Sequence, residues 1–207
     1  MASTQVLPQS SRSAQIADVA TRLFSERGYL GTSMRDIAER SGIRAASLYA
    51  HIARKEDLLY GIVSRAAERF MADVEAAATA TTRPRDRLRA AMRAHVRVVA
   101  EDVRAARVFH HEWTALTGER RAEVVRLRDR YEELWDGIVR DLPGAADPKM
   151  ARLLVLSAAN WVYTWYDPEG PLSPDEVADR YTGLLLKGLG ARGGRGSGRI
   201  PTRKVRA

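Results

Sequence analysis

Between residues 32 and 55 the chain carries hydroxyl, basic and aromatic side chains whose chemistry is binding rather than bond-making. Arginine and lysine donate to phosphate oxygens, hydroxyls and backbone N–H groups at a helix start do the same, and small exposed side chains can reach the edges of bases. The residues concerned are Thr32, Ser33, Arg35, Arg44, Ala45, Ser47, Tyr49, His51 and Lys55. Together they can hold a nucleic acid, provided that the chain presents them on one surface.

Two short helices joined by a glycine turn are predicted to position these side chains. Ser33 followed by Asp36 is typical of a helix start. That helix should end at Gly42, because glycine permits the left-handed turn that a Cβ opposes. Leu48 then attaches a second short helix, residues 44–50, to the core. The pattern predicts a helix-turn-helix whose second helix enters the major groove of DNA, with packing against another protein as the alternative use.

The same stretch resembles the amino-terminal DNA-binding region of the TetR family of transcriptional regulators. The resemblance implies an all-α, TetR-like fold, with a helix-turn-helix domain of three helices over residues 13–57 and a larger ligand-binding and dimerisation domain over residues 58–190. The matching positions are Phe24, Gly28-Tyr29, Thr32-Ser33, Arg35-Asp36-Ile37-Ala38, Gly42-Ile43, Ser47-Leu48-Tyr49 and Lys55-Glu56-Asp57-Leu58-Leu59.

The family pattern implies contacts with the DNA backbone at four of these positions. Thr32 and Ser33 should bring hydroxyl and backbone N–H groups to a phosphate at the start of the second helix, where the helix dipole also favours an anion. Tyr49 and Lys55 should contact phosphates as well. Contacts of this kind position a protein on the duplex and do not specify its sequence.

Base edges should be reached from the exposed side of the third helix, by Arg44, Ala45 and Ser47. Ala45 offers only an apolar contact, for example to a thymine methyl group. Arg35 and His51 are further candidates for DNA contact, and for His51 both a backbone and a base contact remain open. The sequence therefore predicts a DNA-binding surface without identifying the operator.

Apolar residues recur at helical spacing through most of the chain, and no long stretch alternates with period two. This periodicity predicts an all-α protein of about nine helices. Residues 1–12 and 191–207 are polar and are expected to be a disordered arm and a disordered basic tail, since neither can bury much apolar surface.

Composition and charge exclude several other classes of protein. The net charge is +8, but residues 191–207 hold six basic and no acidic side chains, so the case for DNA rests on the motif. There is no cysteine, which excludes disulfides and thiolate metal sites. No apolar run is long enough to cross a bilayer, so we expect a cytoplasmic protein that does not enter the membrane. Since no metal-ligand spacing, phosphate loop or paired carboxylates are evident, neither an enzyme nor a cofactor is expected.

Polar and aromatic side chains on apolar helix faces are candidates for a ligand pocket. They are His95, His110, Trp113, Tyr131 and Trp135. A histidine on such a face can instead be a hydrogen-bonded core residue. Arg89, Arg93 and Arg97, spaced by four, form a basic ridge that either suits the phosphates of coenzyme A or is a solvated helix face.

The last two predicted helices, residues 149–166 and 174–190, are apolar over more than one face, which indicates that they pack against a second copy of the chain. In TetR-like proteins these helices form the dimer interface. Asn160, Trp161 and Trp165, with the turn that follows them, resemble a TetR subgroup that responds to acyl-CoA thioesters. The alternative is that these side chains only pack in the interface.

Taken together, these features predict a homodimeric repressor that binds a palindromic double-stranded DNA operator and is released by a small apolar ligand, such as an acyl-CoA thioester. Two alternatives stay open. One is an effector of another apolar or drug-like class, and the other is DNA binding without any small-molecule effector. The direction in which a ligand acts on DNA binding is also open at this stage.

Overall fold

The computed structural model describes residues 11–144 and 147–190 of the chain. Within these ranges the protein has α-helices and short 3₁₀ turns and no strand, which confirms the predicted all-α fold. Two of the 3₁₀ turns follow the sixth and eighth helices, at Glu112–Ala115 and Trp161–Thr164. The α-helices are α1 (Ser11–Arg27), α2 (Met34–Arg40), α3 (Ala45–Tyr49), α4 (Lys55–Thr79), α5 (Pro84–Glu101), α6 (Val103–His111), α7 (Gly118–Arg140), α8 (Pro148–Asn160) and α9 (Pro174–Gly190).

Helix α1 forms because apolar residues repeat at helical spacing and bury one face. Ile16, Ala20, Leu23 and Phe24 are all buried. The helix ends before Gly28, whose φ of +76° a residue with a Cβ would rarely adopt. Since α1 begins at residue 11, residues 11 and 12, which were expected in a disordered arm, are helical. The rest of that arm and the basic tail lie outside the described residues.

The predicted helix-turn-helix is present as α2, a glycine turn and α3. Ser33 caps α2, accepting from the N–H of Asp36 while the Asp36 carboxylate accepts from the N–H of Ser33, a reciprocal capping box. Gly42 has a φ of +65°, and the next residue, Ile43, donates its N–H to Ala38. Leu48 is fully buried and holds the five-residue α3 against the other two helices.

The larger domain is a helical bundle in which the long helix α4 also packs on the amino-terminal domain that contains the helix-turn-helix. Helix α5 lies between α4 and α9, and α7 lies between α4 and α8. The interior of the larger domain contains an aromatic cluster. In it the rings of Phe70, His95 and Tyr131 contact one another, and Trp135 lies beside them. The domain is therefore built around large aromatic side chains rather than aliphatic ones alone.

The arginine ridge of α5 is partly exposed to solvent, as the solvated-face alternative predicted, and it is also paired with acidic residues of α9. The guanidinium of Arg93 donates to both carboxylate oxygens of Asp179, at 2.8 and 2.5 Å. Arg97 pairs in the same way with Asp175, and Arg89 lies 3.7 Å from Asp179. The hydrogen bonds from Arg93 hold the pKa of the Asp179 carboxyl below its usual value. The ridge thus joins two helices and is not a free phosphate site.

Crossing a bilayer requires a helix that is both long and apolar, and residues 11–144 and 147–190 contain none. The same residues bring together no group of three or more side chains able to hold a metal ion.

Candidate nucleic-acid interface and ligand cavity

Six predicted DNA-contacting residues lie together on the outside of the helix-turn-helix, and we call them the recognition face. All six are exposed, and Tyr49 is 55% accessible to solvent. Leu48 and Ile52 are fully buried beneath them, so α3 has one side in the core and the other in water. The recognition face consists of Arg35, Arg44, Ala45, Ser47, Tyr49 and His51.

Thr32 and Ser33 do not present free hydroxyls, contrary to the expected phosphate contacts. Thr32 is only 1% exposed, and its hydroxyl donates to the carbonyl of Gly28 at 3.0 Å. The hydroxyl of Ser33 donates to Asp36 at 2.6 Å. Each hydroxyl has a single proton to donate, so in this conformation neither can donate to a phosphate. Both residues shape the start of α2 instead.

Lys55 also makes internal contacts, although it was expected to touch the DNA backbone. Its Nζ donates to the carbonyls of Tyr29 and Thr32, at 2.7 and 2.6 Å, and lies 4.1 Å from the centroid of the Tyr29 ring. Partial burial lowers the pKa of this ammonium group. In this structure Lys55 stabilises the turn between α1 and α2. It therefore helps to position the recognition face without being part of it.

The DNA-binding domain is joined to the larger domain by contacts at both ends of the helix-turn-helix. At one end, the Glu112 carboxylate accepts from the backbone N–H of Tyr29 at 2.9 Å. At the other end, Glu56 accepts from the N–H and the hydroxyl of Thr117, and Arg120 pairs with Asp57. A single short segment of the larger domain therefore contacts both ends of the helix-turn-helix, because Glu112, Thr117 and Arg120 are close together in the sequence.

A cavity of about 40 Å³ lies inside the larger domain, between α4, α6, α7 and α8. Three of the predicted ligand-binding residues line it: His110, Tyr131 and Asn160. A water molecule needs about 10–15 Å³ of such space, so the cavity as it stands holds only a few waters. The other lining residues are Ala67, Phe70, Phe109, Leu127, Arg128, Glu132 and Leu156.

Burial keeps two imidazoles and one phenol uncharged, those of His110 and Tyr131 at the cavity and that of His95 behind Tyr131. His95 is 1% exposed and forms a 2.7 Å hydrogen bond through Nδ1 to the hydroxyl of Tyr131. Burial lowers the pKa of His95 to about 3 and also lowers that of His110 to about 3. Burial raises the pKa of Tyr131. Both imidazoles and the phenol are therefore neutral near pH 7.

Five predicted ligand-binding residues do not line the cavity. His95 lies behind Tyr131, and Trp135 is fully buried in the core. Trp113 lies on the outer side of Arg128, whose guanidinium is 4.8 Å from its ring centroid. Trp161 and Trp165 point to solvent, Trp161 being 62% exposed. The cavity is thus lined by fewer of these residues than the sequence predicted. On α8 its lining ends at Asn160, before the tryptophan pair.

A larger hollow of about 220 Å³ lies between α1, α4 and the α5–α6 corner, at the junction of the two domains. Small side chains of α1 such as Ala14 and Ala17 form one wall, and Arg65 and Arg69 form part of another. Phe70 lines this hollow and also lines the cavity. Phe70 is therefore part of the wall of both spaces.

Several residues of the site were missed by sequence analysis. Phe70 and Phe109 were not singled out, because an aromatic residue in a helical stripe looks like any other core residue. Arg128 carried a usable signal, since it lies four residues after Val124 and three before Tyr131, on the apolar stripe of α7. Glu112 carried none, because its partner Tyr29 is far away in the sequence.

An apolar surface is exposed along α8 and α9, and we call it the α8–α9 face. Leu184 is 68% exposed, and four other large apolar side chains accompany it. Exposed apolar patches of this kind mark surfaces that associate with another molecule. The face consists of Met150, Leu153, Leu154, Trp161 and Leu184.

Two family models match the chain. The model described as bacterial regulatory proteins, tetR family, matches residues 16–61, which contain the helix-turn-helix. The model described as tetracyclin repressor-like, C-terminal domain, matches residues 81–189, which contain the cavity and the α8–α9 face. The two matches are separated by residues 62–80 and together span most of the described residues.

Individual proteins are similar over nearly the whole chain. The HTH-type transcriptional repressor KstR2 of Rhodococcus jostii is 28% identical over 87% of this chain and 92% of its own length. The HTH-type transcriptional activator FasR of Mycolicibacterium smegmatis is 26% identical over 88% of this chain and 85% of its own length. The crystal structure of AibR in complex with isovaleryl coenzyme A and operator DNA has a TM-score of 0.75, with 31% identity over 84% of this chain and 98% of that one.

Proposed function

Since this chain belongs to the TetR family of bacterial regulatory proteins, we propose that it represses transcription as a homodimer on a palindromic operator and leaves the DNA when a small apolar ligand binds the cavity. The observation that carries this proposal is the position of Glu112. It follows the cavity residues Phe109 and His110 by only a few residues and holds the backbone of Tyr29 at the entry to the helix-turn-helix.

The recognition face supports the DNA-binding half of the proposal. Arg44 stands at the start of α3, exposed, and is our candidate for hydrogen bonds to a guanine edge. Ser47 and Ala45 lie beside it on the same side of the helix, where they can contact bases or a thymine methyl. Arg35, Tyr49 and His51 flank them, and of these Tyr49 is our candidate for a contact with the DNA backbone, while Arg35 and His51 can contact either the backbone or a base.

The α8–α9 face supports a homodimer. Two copies related by a two-fold axis would bury the same face against itself, and this removes large apolar side chains from water. The dimer also doubles the recognition face with the symmetry that a palindromic operator requires, two half-sites about 34–36 Å apart.

Release follows if the ligand prefers a conformation in which the recognition faces are spaced wrongly. A ligand that fills the cavity must displace Phe109 and His110 on the last turn of α6, and Glu112 in the adjoining 3₁₀ turn would carry that displacement to Tyr29. A complete shift of such a two-state equilibrium, from 1:99 to 99:1, needs a differential affinity of about 5.5 kcal/mol.

The ligand that we propose is an acyl-CoA thioester, because AibR binds isovaleryl coenzyme A. Ligand pockets generally enclose about 300–1,000 Å³, and the cavity is far smaller than that. Movement of Phe70 would join the cavity to the hollow beside α1 and give an acyl chain the room that it needs.

A TetR-family protein without a small-molecule effector is the second candidate, and the small cavity is the observation that favours it. Another apolar ligand class would fill the same space. A panel of thioesters, free acids and uncharged apolar compounds distinguishes these cases, since a protein without an effector would respond to none of them.

The test is binding of the purified protein to fluorescent duplexes from its own promoter, with and without this panel, at constant salt. We expect saturable binding to one palindromic segment and its loss on addition of an acyl-CoA. Glu112→Ala should keep most of the operator affinity but uncouple it from the ligand, while Glu119→Ala, an exposed carboxylate at the start of α7, is the matched control. A Glu112→Ala protein that the ligand releases as readily as wild type would refute the route through Tyr29.

A further inference from the structure

The guanidinium of Arg128 lies at the wall of the cavity without an anionic partner. It is half-buried on α7, and it stacks over Trp113 and Phe109 with distances of 4.8 and 5.6 Å to their ring centroids. Within residues 11–144 and 147–190 it forms no hydrogen bond and no carboxylate approaches it within ion-pair distance. Other half-buried arginines of the larger domain, such as Arg93, have such partners.

The acidic side chain that shares the cavity with Arg128 is already engaged. Glu132 pairs with Arg152 of α8, and Arg152 also binds Asp136 at 2.7 Å. Burial lowers the pKa of Arg128, although the charges of Glu132 and Asp129 oppose this shift. A half-buried cation without a direct ion-pair partner is less stable than a paired one, and a bound anion would supply that partner.

The remaining polar groups of the cavity are suited to hydrogen bonding rather than to charge pairing. The Nε2 atom of His110 is buried and has no partner among the described residues, and its imidazole is neutral. Tyr131 and Asn160 complete the polar lining. Arg128 thus lines the same cavity as these neutral donors and acceptors, and its guanidinium has no hydrogen bond or ion pair among the described residues.

We propose that Arg128 binds an anionic group of the ligand, a carboxylate or a phosphate, and that it selects anionic amphiphiles over uncharged apolar molecules. The inference rests on the proposed ligand-responsive function and adds the chemistry that the ligand must have. The planar guanidinium presents two parallel N–H groups to either anion. The ring of Trp113 holds that plane in place.

The experiment compares decanoate, decyl phosphate, decanoyl-CoA and 1-decanol as ligands of the full-length protein, by titration calorimetry at physiological ionic strength, where surface charges are screened beyond about 8 Å. At least one anionic probe should bind about thirtyfold or more tightly than 1-decanol, the effect expected of a desolvated charge pair. The carboxylate and phosphate arms identify which anion is recognised.

Arg128→Met retains the length of the side chain and removes the charge, and it should abolish the preference for the anionic probe. Arg128→Lys keeps the charge but loses the planar pair of N–H groups, so it should retain only part of the preference, and it tests the role of the charge even if the methionine variant folds poorly. Arg130→Met, at an exposed position on the same helix, is the matched control and should behave as wild type.

Three results would overturn the proposal: wild-type protein that binds no anionic probe, wild type that binds 1-decanol equally well, or Arg128→Met with an undiminished preference. Operator binding without ligand is measured in parallel on the same samples. Loss of the anion preference with intact operator binding separates this inference from the proposed function, which fails on its own if wild type ignores promoter DNA.

Discussion

On the recognition face the polar side chains are exposed to water above a thin apolar layer, whereas in the ligand cavity they are only partly exposed and pack against other aromatic side chains. Tyr49 is more than half exposed and rests on α3, while Tyr131 is enclosed and bonded to His95. The first region can change its side chains at little cost to folding. In the second, the same groups that would meet a ligand also hold the domain together.

Truncation of one large aromatic residue in each region gives the largest contrast. Trp135→Ala empties a fully buried site and should lower the free energy of unfolding by about 3–5 kcal/mol. Tyr49→Ala should change it by less than about 0.5 kcal/mol, because surface substitutions seldom do more. Urea unfolding followed by circular dichroism measures both. Equal effects at the two sites would remove the distinction between the regions.

Acidification should affect the cavity region next most strongly. The folded-state pKa values of His95 and His110, about 3, lie below the 6.5 of an unfolded histidine. Their contribution to stability is therefore complete above pH 6.5 and is lost as the pH falls toward 3. Each histidine should remove up to about 2 kcal/mol between pH 6.5 and 5.

Urea unfolding at several pH values over this window measures the slope. His110→Gln should make it shallower, because one of the two proton-binding differences disappears. A slope that is the same in wild type and in this variant would mean that His110 is no less able to take up a proton in the folded state than in the unfolded one.

On the recognition face, by contrast, we expect a substitution to weaken operator binding while leaving the free energy of unfolding nearly unchanged. Arg44→Ala should weaken binding to the operator by about 1–3 kcal/mol and relax preference at one base pair. Its free energy of unfolding should stay within about 0.5 kcal/mol of wild type. Fluorescence anisotropy with the operator and its single-base variants measures the first effect. An equal loss on every duplex would show instead that Arg44 contacts a phosphate.

The recognition face could be predicted from the sequence because its signals are local. The Ser33–Asp36 capping pair, the glycine at 42 and the buried Leu48 lie within sixteen residues of one another and fix the two helices. The inward turn of Thr32 was not predictable in this way, since its hydroxyl bonds depend on the carbonyl of Gly28 being directed at it.

The cavity could be predicted only in part, because it is assembled from four helices that are distant in the sequence. His110 and Tyr131 were predicted from polar groups on apolar helix faces, and Asn160 from the resemblance to the acyl-CoA-responsive subgroup. Which of those stripes face one another depends on helix register, and no short motif specifies it. The same reason explains why the arginines of α5 could not be matched with Asp175 and Asp179 of α9.

Helix α4 runs without interruption from Lys55 to Thr79, from the back of the recognition face to beyond the cavity. At 1.5 Å per residue, Lys55 lies about 22 Å along this rod from Phe70. A tilt of about 5° around Phe70 would swing that far end through about 2 Å, and a symmetric dimer would double the change in spacing. In a rigid helix of this length, a displacement the size of a side chain near Phe70 is enough to determine whether both half-sites are bound at the same time.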